Sequence, residues 1–399
     1  MQNINSLFKR LKTMSIDGNS TSIVLIKEHF GTLKDPRAQQ SIDHLLIDII
    51  VITICATIGG ANDWEAIAAY GVAKYEWLKT FLALPNGIPS HDTFNRLFAR
   101  LKPEELQKCF ISWMQAVHEV TRGELLNVDG KTLRGAKERG NNRSLIHMVS
   151  VWSSTNHLVL GQIKVDEKSN EITAIPELLK LIDIQGALVS IDAMGCQTEI
   201  AKTIIEQGAD YVLALKANQG NLHEDVSQLF ANQIATTDNS VGNQFHSTRE
   251  KGHGRIEIRR YSVMGNTEYL LGAEKWEGLK SIGMVESERR INGQISDVER
   301  RYYILSIESD VKRFAEAVRN HWSIENQLHW VLDVSFQEDS NHSCHGHSAE
   351  NLAVIRHIGV NLLSKEKTAK VGVENKRLKA GWDNQYLEKV LSSLNISKS

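Results

Sequence analysis

Two hydrophobic stretches in this chain each end on an aspartate. Glu124-Leu125-Leu126-Asn127-Val128 runs into Asp129, and Ala187-Leu188-Val189-Ser190-Ile191 runs into Asp192. Far downstream a helix-like segment, His321-Trp322-Ser323-Ile324-Glu325-Asn326, carries a glutamate. A carboxylate at the C-terminal end of a strand in an α/β sheet faces the crevice where ligands bind. Three carboxylates delivered from two strand ends and one helix can hold two divalent cations, and such a pair clamps the attacking and leaving oxygens of a phosphodiester. The chemistry this pattern suits is metal-dependent cutting and joining of DNA strands. Each acid alone has a plainer explanation: an aspartate before a glycine is a common turn pair, and a glutamate on a helix more often faces water. It is the combination that points to a site.

Asp129 also opens a glycine-punctuated basic stretch with Lys131, Arg134, Lys137 and Arg139, followed by Arg143. Basic side chains beside a metal site suit phosphate contact, although a solvated surface loop has the same composition. A second basic stretch runs from Arg249 through Lys251, His253 and Arg255 to Arg259 and Arg260. Its alternation with Ile256 and Ile258 fits either a DNA-facing strand or an edge strand with a polar face. His321, Glu325 and His329 recur at i, i+4 and i+8, one face of an α-helix, with Arg319 just before. Glu325 sits among Trp, Ile and Leu, which predicts at least half burial, and a buried carboxylate needs a partner or a metal. His342, Cys344, His345 and His347 lack a second ligand pair at zinc-finger distance and read as a polar loop.

The elements that must position these groups follow from pattern. At 399 residues, 41% hydrophobic and 24% charged, the chain is a soluble globular protein of two or three domains. A net charge of −2 means that any polyanion must be met by local basic patches. Four scattered cysteines without a C-x-x-C pair argue for a reducing compartment, and no segment reads as a signal peptide or membrane span, so the cytoplasm is expected. Residues 1–120 read as helical: a buried helix over 42–58, further helices over 63–70 and 73–84, a turn at Pro85-Asn86-Gly87, and a helix over 91–101 capped by Ser90. From Glu124 the period shortens to that of strands. A strand is followed by a hairpin (146–154, 157–165), a helix (175–184), a strand (187–192), a helix (198–207, with Thr198 as cap) and a strand (211–216), an α/β mixed sheet. Residues 226–300 form a β-rich insertion, 302–307 return to a strand, 313–331 form the helix bearing Glu325, and the tail is helical.

Several longer motifs occur in order: Asp35-Pro36-Arg37, Pro89-Ser90-His91-Asp92-Thr93-Phe94, Val128-Asp129-Gly130-Lys131, Lys168-Ser169-Asn170-Glu171-Ile172, Ser190-Ile191-Asp192-Ala193, the run over 321–334, Glu338-Asp339, and Ala349-Glu350-Asn351-Leu352-Ala353. In these the chain resembles the DDE transposases of bacterial insertion sequences, nearest to the H-repeat-associated branch (the As-type insertion sequence family), over residues 28–394. The resemblance implies an RNase H-like catalytic core with a β-rich insertion before the glutamate helix, and an all-α transposase-associated domain in front. The divisions expected are 1–120, a core in two parts (121–225 and 301–365) around the insertion 226–300, and a helical tail 366–399. It implies Asp129, Asp192 and Glu325 as the catalytic carboxylates. Asp129 would bridge two Mg²⁺ ions, with Mn²⁺ able to substitute, and Asp192 and Glu325 would each complete one site. The expected activity is hydrolysis at the ends of a mobile element and transfer of the freed 3′-OH. The expected partners are double-stranded DNA, as terminal inverted repeats and target, and a second copy of the chain on that DNA. A broader signature around the glutamate, Tyr-x-x-Arg-x-x-x-Glu followed seven residues on by Lys, is replaced here by Val318, His321, Glu325 and Leu332. Arg319, His321 and His329 are then the candidates for phosphate contact.

Two other functions share parts of this pattern: an RNase H-like nuclease that cuts without joining, and a DNA-binding protein that has lost catalysis. The intact carboxylates speak against the second. The helices over 63–101, whose last one carries Arg96 and Arg100, either read the element ends or only support the core. If they read DNA, Arg96→Ala with Arg100→Ala will abolish end-specific binding in a gel-shift assay. Unchanged binding would leave them a supporting role.

Overall fold

The computed structural model describes residues 19–134, 145–165, 170–236, 244–252, 255–265, 267–291, 294–343 and 345–394. They fall into two compact units, one of residues 19–118 and 332–394, the other of 119–134 and 145–331. No described helix is long and apolar enough to cross a membrane.

The first unit is helical. Helices α1 (Asn19–Phe30), α2 (Leu46–Ile58), α3 (Trp64–Ala73), α4 (Tyr75–Leu78), α5 (His91–Arg100) and α6 (Pro103–Val117) are joined by the C-terminal helices Ser348–Lys365, Val373–Trp382 and Asn384–Leu391. α2 is apolar all round and buried all round, packed on the helix Ser348–Lys365. Its one acid, Asp48, accepts the Leu84 backbone N–H at 2.8 Å. Ser90 caps α5, as the sequence predicts, and Asp63, expected inside the helix, caps α3. The helix expected over 73–84 is shorter. It ends at Leu78, where the Thr80 and Phe81 N–H groups turn to the carbonyls three residues back, at Trp77 and Leu78.

The second unit is built on one nine-stranded mixed sheet in the order β3-β2-β1-β4-β5-β9-β8-β7-β6. β1 (Leu125–Leu133), β4 (Leu188–Ile191) and β5 (Asp210–Leu215) run parallel, as strands linked by helical crossovers do. β2 (Ile146–Ser153) and β3 (Leu158–Lys164) form the expected hairpin on one side. On the other side β6 (Gln244–Gly252), β7 (Arg255–Met264), β8 (Ser281–Ile291) and β9 (Gln294–Leu305) form an antiparallel meander that joins the sheet where β9 pairs with β5. The segment expected as an insertion therefore extends the core sheet. Helices α7 (Glu171–Leu181), α8 (Thr198–Glu206) and α9 (Asn221–Thr236) complete the crossovers. α7 begins four residues before the position expected, because the Asn170 side chain caps it by accepting the Ile172 N–H. α8 is preceded by Gln197 rather than capped by Thr198.

Helix α10 (Val311–His321) docks on the sheet through Phe314, which is fully buried. Its ring meets Tyr261 and Tyr303 edge-on at centroid distances of 6.1 and 5.2 Å. Gly283 on β8 makes room for it: a Cβ there would stand 2.6 Å from Phe314 Cζ. Gly283→Ala should destabilise the protein by about 1–3 kcal/mol through overpacking, measured by urea unfolding. An unchanged midpoint would show that α10 is not tightly docked.

Candidate active site

The register of the parallel pair β1–β4 sets Val128 opposite Ile191. Asp129 and Asp192 are the next residues on each strand, so they leave neighbouring strands side by side, about 5 Å apart by the spacing of a sheet. Asp129 is still paired with Ser150 on β2, so it lies within β1, at the point where parallel pairing stops rather than at the strand's end. Its Oδ1 accepts the Gly130 N–H at 2.9 Å. Asp192 Oδ1 accepts the Met194 and Gly195 N–H groups at 3.1 and 3.3 Å, a local turn that fixes the carboxylate as the chain leaves β4.

Side chains alternate along a strand, so Asn127 shares a face with Asp129, and Ser190 with Asp192. Both tie the end of α10 to that face. Asn127 Nδ2 donates to the Asn320 carbonyl at 2.6 Å, and Ser190 Oγ is 3.0 Å from His321 Nδ1. Trp152 Nε1 donates to Ser323 Oγ at 3.2 Å and holds the next residues over β2. The segment after α10 is a π-helical turn, Ile324–His329, not the unbroken α-helix expected through 331. A π turn is wider than an α turn and is common at functional sites. It buries Ile324, Leu328 and His329 and turns Glu325 outward. Glu325 is exposed, which corrects the half burial expected of it; its apolar neighbours point inward while it does not. Trp322 is also exposed, with the Arg301 guanidinium 5.2 Å over its ring.

Asp129, Asp192, His321 and Glu325 line one cavity of about 360 Å³, together with Lys216, Arg300, Arg301 and Trp322. His329 approaches Asp129 from the other end of the π turn, Nδ1 to Oδ2 at 3.6 Å, beyond hydrogen-bond length. Asp333, two turns past Glu325, acts instead on the buried Arg356 within the helical unit, as does Glu338.

The electrostatics of this cavity are those of crowded anions. Asp129 is pushed up to about 7, first by burial and then by the charges of Asp192, Glu171 and Glu325, with the Gly130 N–H opposing. Glu171 is raised by burial and by Asp192, with His147 opposing. Burial holds His321 below its usual range, so near neutral pH its imidazole is a hydrogen-bonding group rather than a cation. Among the described residues, no three His, Cys, Asp or Glu side chains already stand close enough to close around one ion. The donor set still has the chemistry of a hard-cation site: clustered carboxylates, one of them pushed towards protonation by burial and by its acidic neighbours.

Of the expected DNA contacts, Lys131 lies on β1 and Arg134 just past it. Lys137, Arg139 and Arg143 lie outside the described residues. Arg319 is held by Glu250 of β6 in a two-pronged contact at 2.9 and 3.1 Å. Arg255 lines a second, polar cavity of about 470 Å³ with Arg259, Arg289, Arg301 and Arg319 interleaved among glutamates. Arg96 and Arg100 are exposed on α5 of the helical unit, and Arg96 donates to the Asp92 carbonyl. His342, His345 and His347 are exposed. Sequence reasoning missed Lys216 and Arg301 in the cavity lining, and gave no role to Glu171, whose charge acts on Asp129. Lys216 follows a third parallel strand, a position that deserved the same weight as Asp192. Glu171 was quoted only within a longer motif, and placing the start of α7 at 175 left it outside any element that faces the aspartates.

Comparison with known proteins places this geometry in a family. Residues 121–362 match the family described as "Transposase DDE domain", and residues 27–114 match "DDE_Tnp_1-associated". The chain is 42% identical over 375 residues to "Putative transposase YncI" of Escherichia coli O157:H7, covering 93% of this chain and 95% of that one. It is 40% identical over 376 residues to "H repeat-associated putative transposase YhhI" of Escherichia coli K12, covering 93% of this chain and 99% of that one.

The raised Asp129 carboxyl has a consequence for stability. Its folded value of about 7 exceeds the ordinary 3.8, so between these values the folded state binds the extra proton. Folding stability of the metal-free protein is therefore lost as pH rises through that window. Asp129→Asn removes the penalty. Urea unfolding in chelator near pH 8 should find the variant more stable than wild type by about 1–3 kcal/mol, a gap that closes towards pH 4. A less stable variant at both values would refute this electrostatic account.

Proposed function

The chain belongs to the transposase DDE domain family, and from that premise we propose that it cuts DNA strands at the ends of a mobile element and joins the freed 3′-OH groups to target DNA. The observation that carries this reading is the in-register exit of Asp129 and Asp192 from adjacent parallel strands, in one cavity with Glu325. These three carboxylates would hold the divalent cations on which the family's chemistry relies, Mg²⁺ being the expected species and two the expected number. When bound, such ions supply positive charge at the attacking and departing oxygens of a phosphodiester.

The remaining work falls to the chain's own side chains. Lys216 and Arg301 line the cavity and offer positive charge to the flanking phosphates. His321, neutral and oriented by Ser190, offers a hydrogen bond. Asn127 and Trp152 fix the π turn, so Glu325 is presented by backbone held at two points rather than by a free loop. The exposure of Glu325 suits a ligand that must meet both solvent-borne cations and a large substrate. Lys131 and Arg134 next to Asp129 are proposed to contact the DNA backbone, with Lys137, Arg139 and Arg143 beyond them. Arg96 and Arg100 are the proposed readers of the element ends. Joining two ends at one target needs two active sites, so the working form is proposed to be a dimer on DNA.

The assignment is tested with a duplex carrying the inverted repeats that flank the coding region. Nicking and strand transfer should need Mg²⁺; robust activity in excess chelator would overturn the reading, and cleavage without joining would favour a simple nuclease. Within it, Glu325→Gln keeps shape but removes charge. It should lower cleavage by at least about a hundredfold, since loss of even an outer partner of a metal ligand costs about 10–100-fold. Folding and DNA binding should stay near wild type, and Asp333→Asn should be milder. The reverse ranking of the two variants would move the third ligand to Asp333.

A further inference from the structure

Glu171 stands where the three-acid site has no role for it. It is the first residue of α7, held there by the Asn170 cap. A glutamate at that position ordinarily serves the helix dipole and points to water. This one folds back onto β1. A Cβ built on Gly130 would lie 2.1 Å from Glu171 Oε1 and 3.0 Å from Oε2, so both carboxylate oxygens rest in the space that any other residue at 130 would fill. Gly130 has an ordinary φ, so the backbone itself does not demand glycine there. The space does.

The surroundings make this placement costly. Glu171 is half-buried and feels the charge of Asp192, and it in turn acts on Asp129. The favourable charge facing it is His147, whose Nδ1 is engaged with Thr132 Oγ1 at 2.8 Å. Among the described residues Glu171 has no ion pair. A carboxylate brought out of water against two others without a cation is destabilising unless something positive arrives.

We propose that Glu171 is a fourth carboxylate of the divalent-cation site, admitted beside Asp129 by the missing side chain of Gly130. This rests on the reading that Asp129, Asp192 and Glu325 hold the metal, and it adds a residue outside that triad. Two substitutions approach it from opposite sides. Glu171→Gln removes the charge. Gly130→Ala keeps all four carboxylates and displaces Glu171 by occupying its place, at little risk to the fold because the group that must move is the end of a flexible side chain.

The experiment is Mn²⁺ binding to the full-length protein, followed by the loss of the free-Mn²⁺ electron paramagnetic resonance signal, with thermal unfolding measured with and without Mn²⁺. Each variant should weaken Mn²⁺ binding by about tenfold or more. The double variant should be little worse than either single one, because both remove the same contact. The metal-free melting temperature of Glu171→Gln should equal or exceed that of wild type, and its rise on adding Mn²⁺ should shrink. Glu171→Asp should fall between. A Glu171→Gln protein that binds Mn²⁺ like wild type, while Asp129→Asn does not, would overturn the proposal and leave the triad standing. A lowered metal-free melting temperature with an intact Mn²⁺ increment would make Glu171 a helix-start residue only, and would also overturn it. If wild type itself binds no Mn²⁺, the metal reading of the triad fails, and this proposal with it.

Discussion

The structure of the sheet-bearing unit depends on one register, Val128 opposite Ile191 in the parallel pair of β1 and β4. Because side chains alternate with a period of two, a slip of one residue would send Asp129 or Asp192 to the opposite face. That face also carries Asn127 and Ser190, which bind the end of α10. The register therefore sets two things together: which way the aspartates point, and where the glutamate-bearing turn lands. Burial alone does not choose it, because β4 is buried at every position and β1 is buried from Leu125 to Val128, on both faces. The polar side chains choose it: only this register sets Asn127 and Ser190 on the face where Asn320 and His321 meet them.

That register makes an electrostatic problem. In-register exit from adjacent strands brings like charges together, and the sheet around them is dry enough to weaken screening. Burial first, and then the neighbouring anions, lift Asp129 to about 7. Among the described residues no lysine or arginine salt bridge to Asp129 is seen, and the His329 imidazole stands 3.6 Å from its Oδ2. Rigid backbone absorbs the strain instead, through the Phe314 dock on the sheet and the tethers on Asn320, His321 and Ser323. Held in place by these contacts, the carboxylates stay close together without a compensating charge, which is the arrangement the proposed cation site requires.

Much of this was legible in the sequence, because strand ends and helix starts are local signals. The two aspartates announced themselves by hydrophobic runs that stop, and the hairpin, the parallel strands and the Ser90 cap by period and capping chemistry. What was not legible depends on contacts between distant segments. The i, i+4, i+8 spacing of His321, Glu325 and His329 suggested one α-helical face. The π turn changes that face, and nothing local distinguishes it from α, since its tethers are 171 residues away for Trp152 and 193 for Asn127. Burial of Glu325 was inferred from apolar neighbours in sequence, which the turn points elsewhere. Continuity of the meander with the core sheet rests on pairing of β9 with β5, a long-range fact. Glu171 shows the same limit on a smaller scale: a late helix start, missed by four residues, concealed a carboxylate that packs on Gly130.

The far side of the sheet bears on how a chain of net charge −2 can meet a polyanion. There the arginines are interleaved with glutamates: Arg259 with Glu250 and Glu257, Arg260 with Glu286 and Glu288, Arg300 with Glu286, Arg301 with Glu299, and Arg319 with Glu250. The alternation that Arg255 to Arg260 shows with Ile256 and Ile258 is thus that of a strand with a polar, charge-paired face. Most of these guanidinium groups are about half exposed, and exposed pairs of this kind contribute only about 0–1 kcal/mol each. Such pairing holds a long side chain extended without binding it firmly. A phosphate, which accepts a guanidinium fork as well as a carboxylate does, can take over an arginine at small loss, leaving a glutamate still able to face water. Near-neutrality itself comes from the balance of 46 lysines and arginines against 48 aspartates and glutamates; the pairing holds these guanidinium groups in place while leaving them open to competition from an anion.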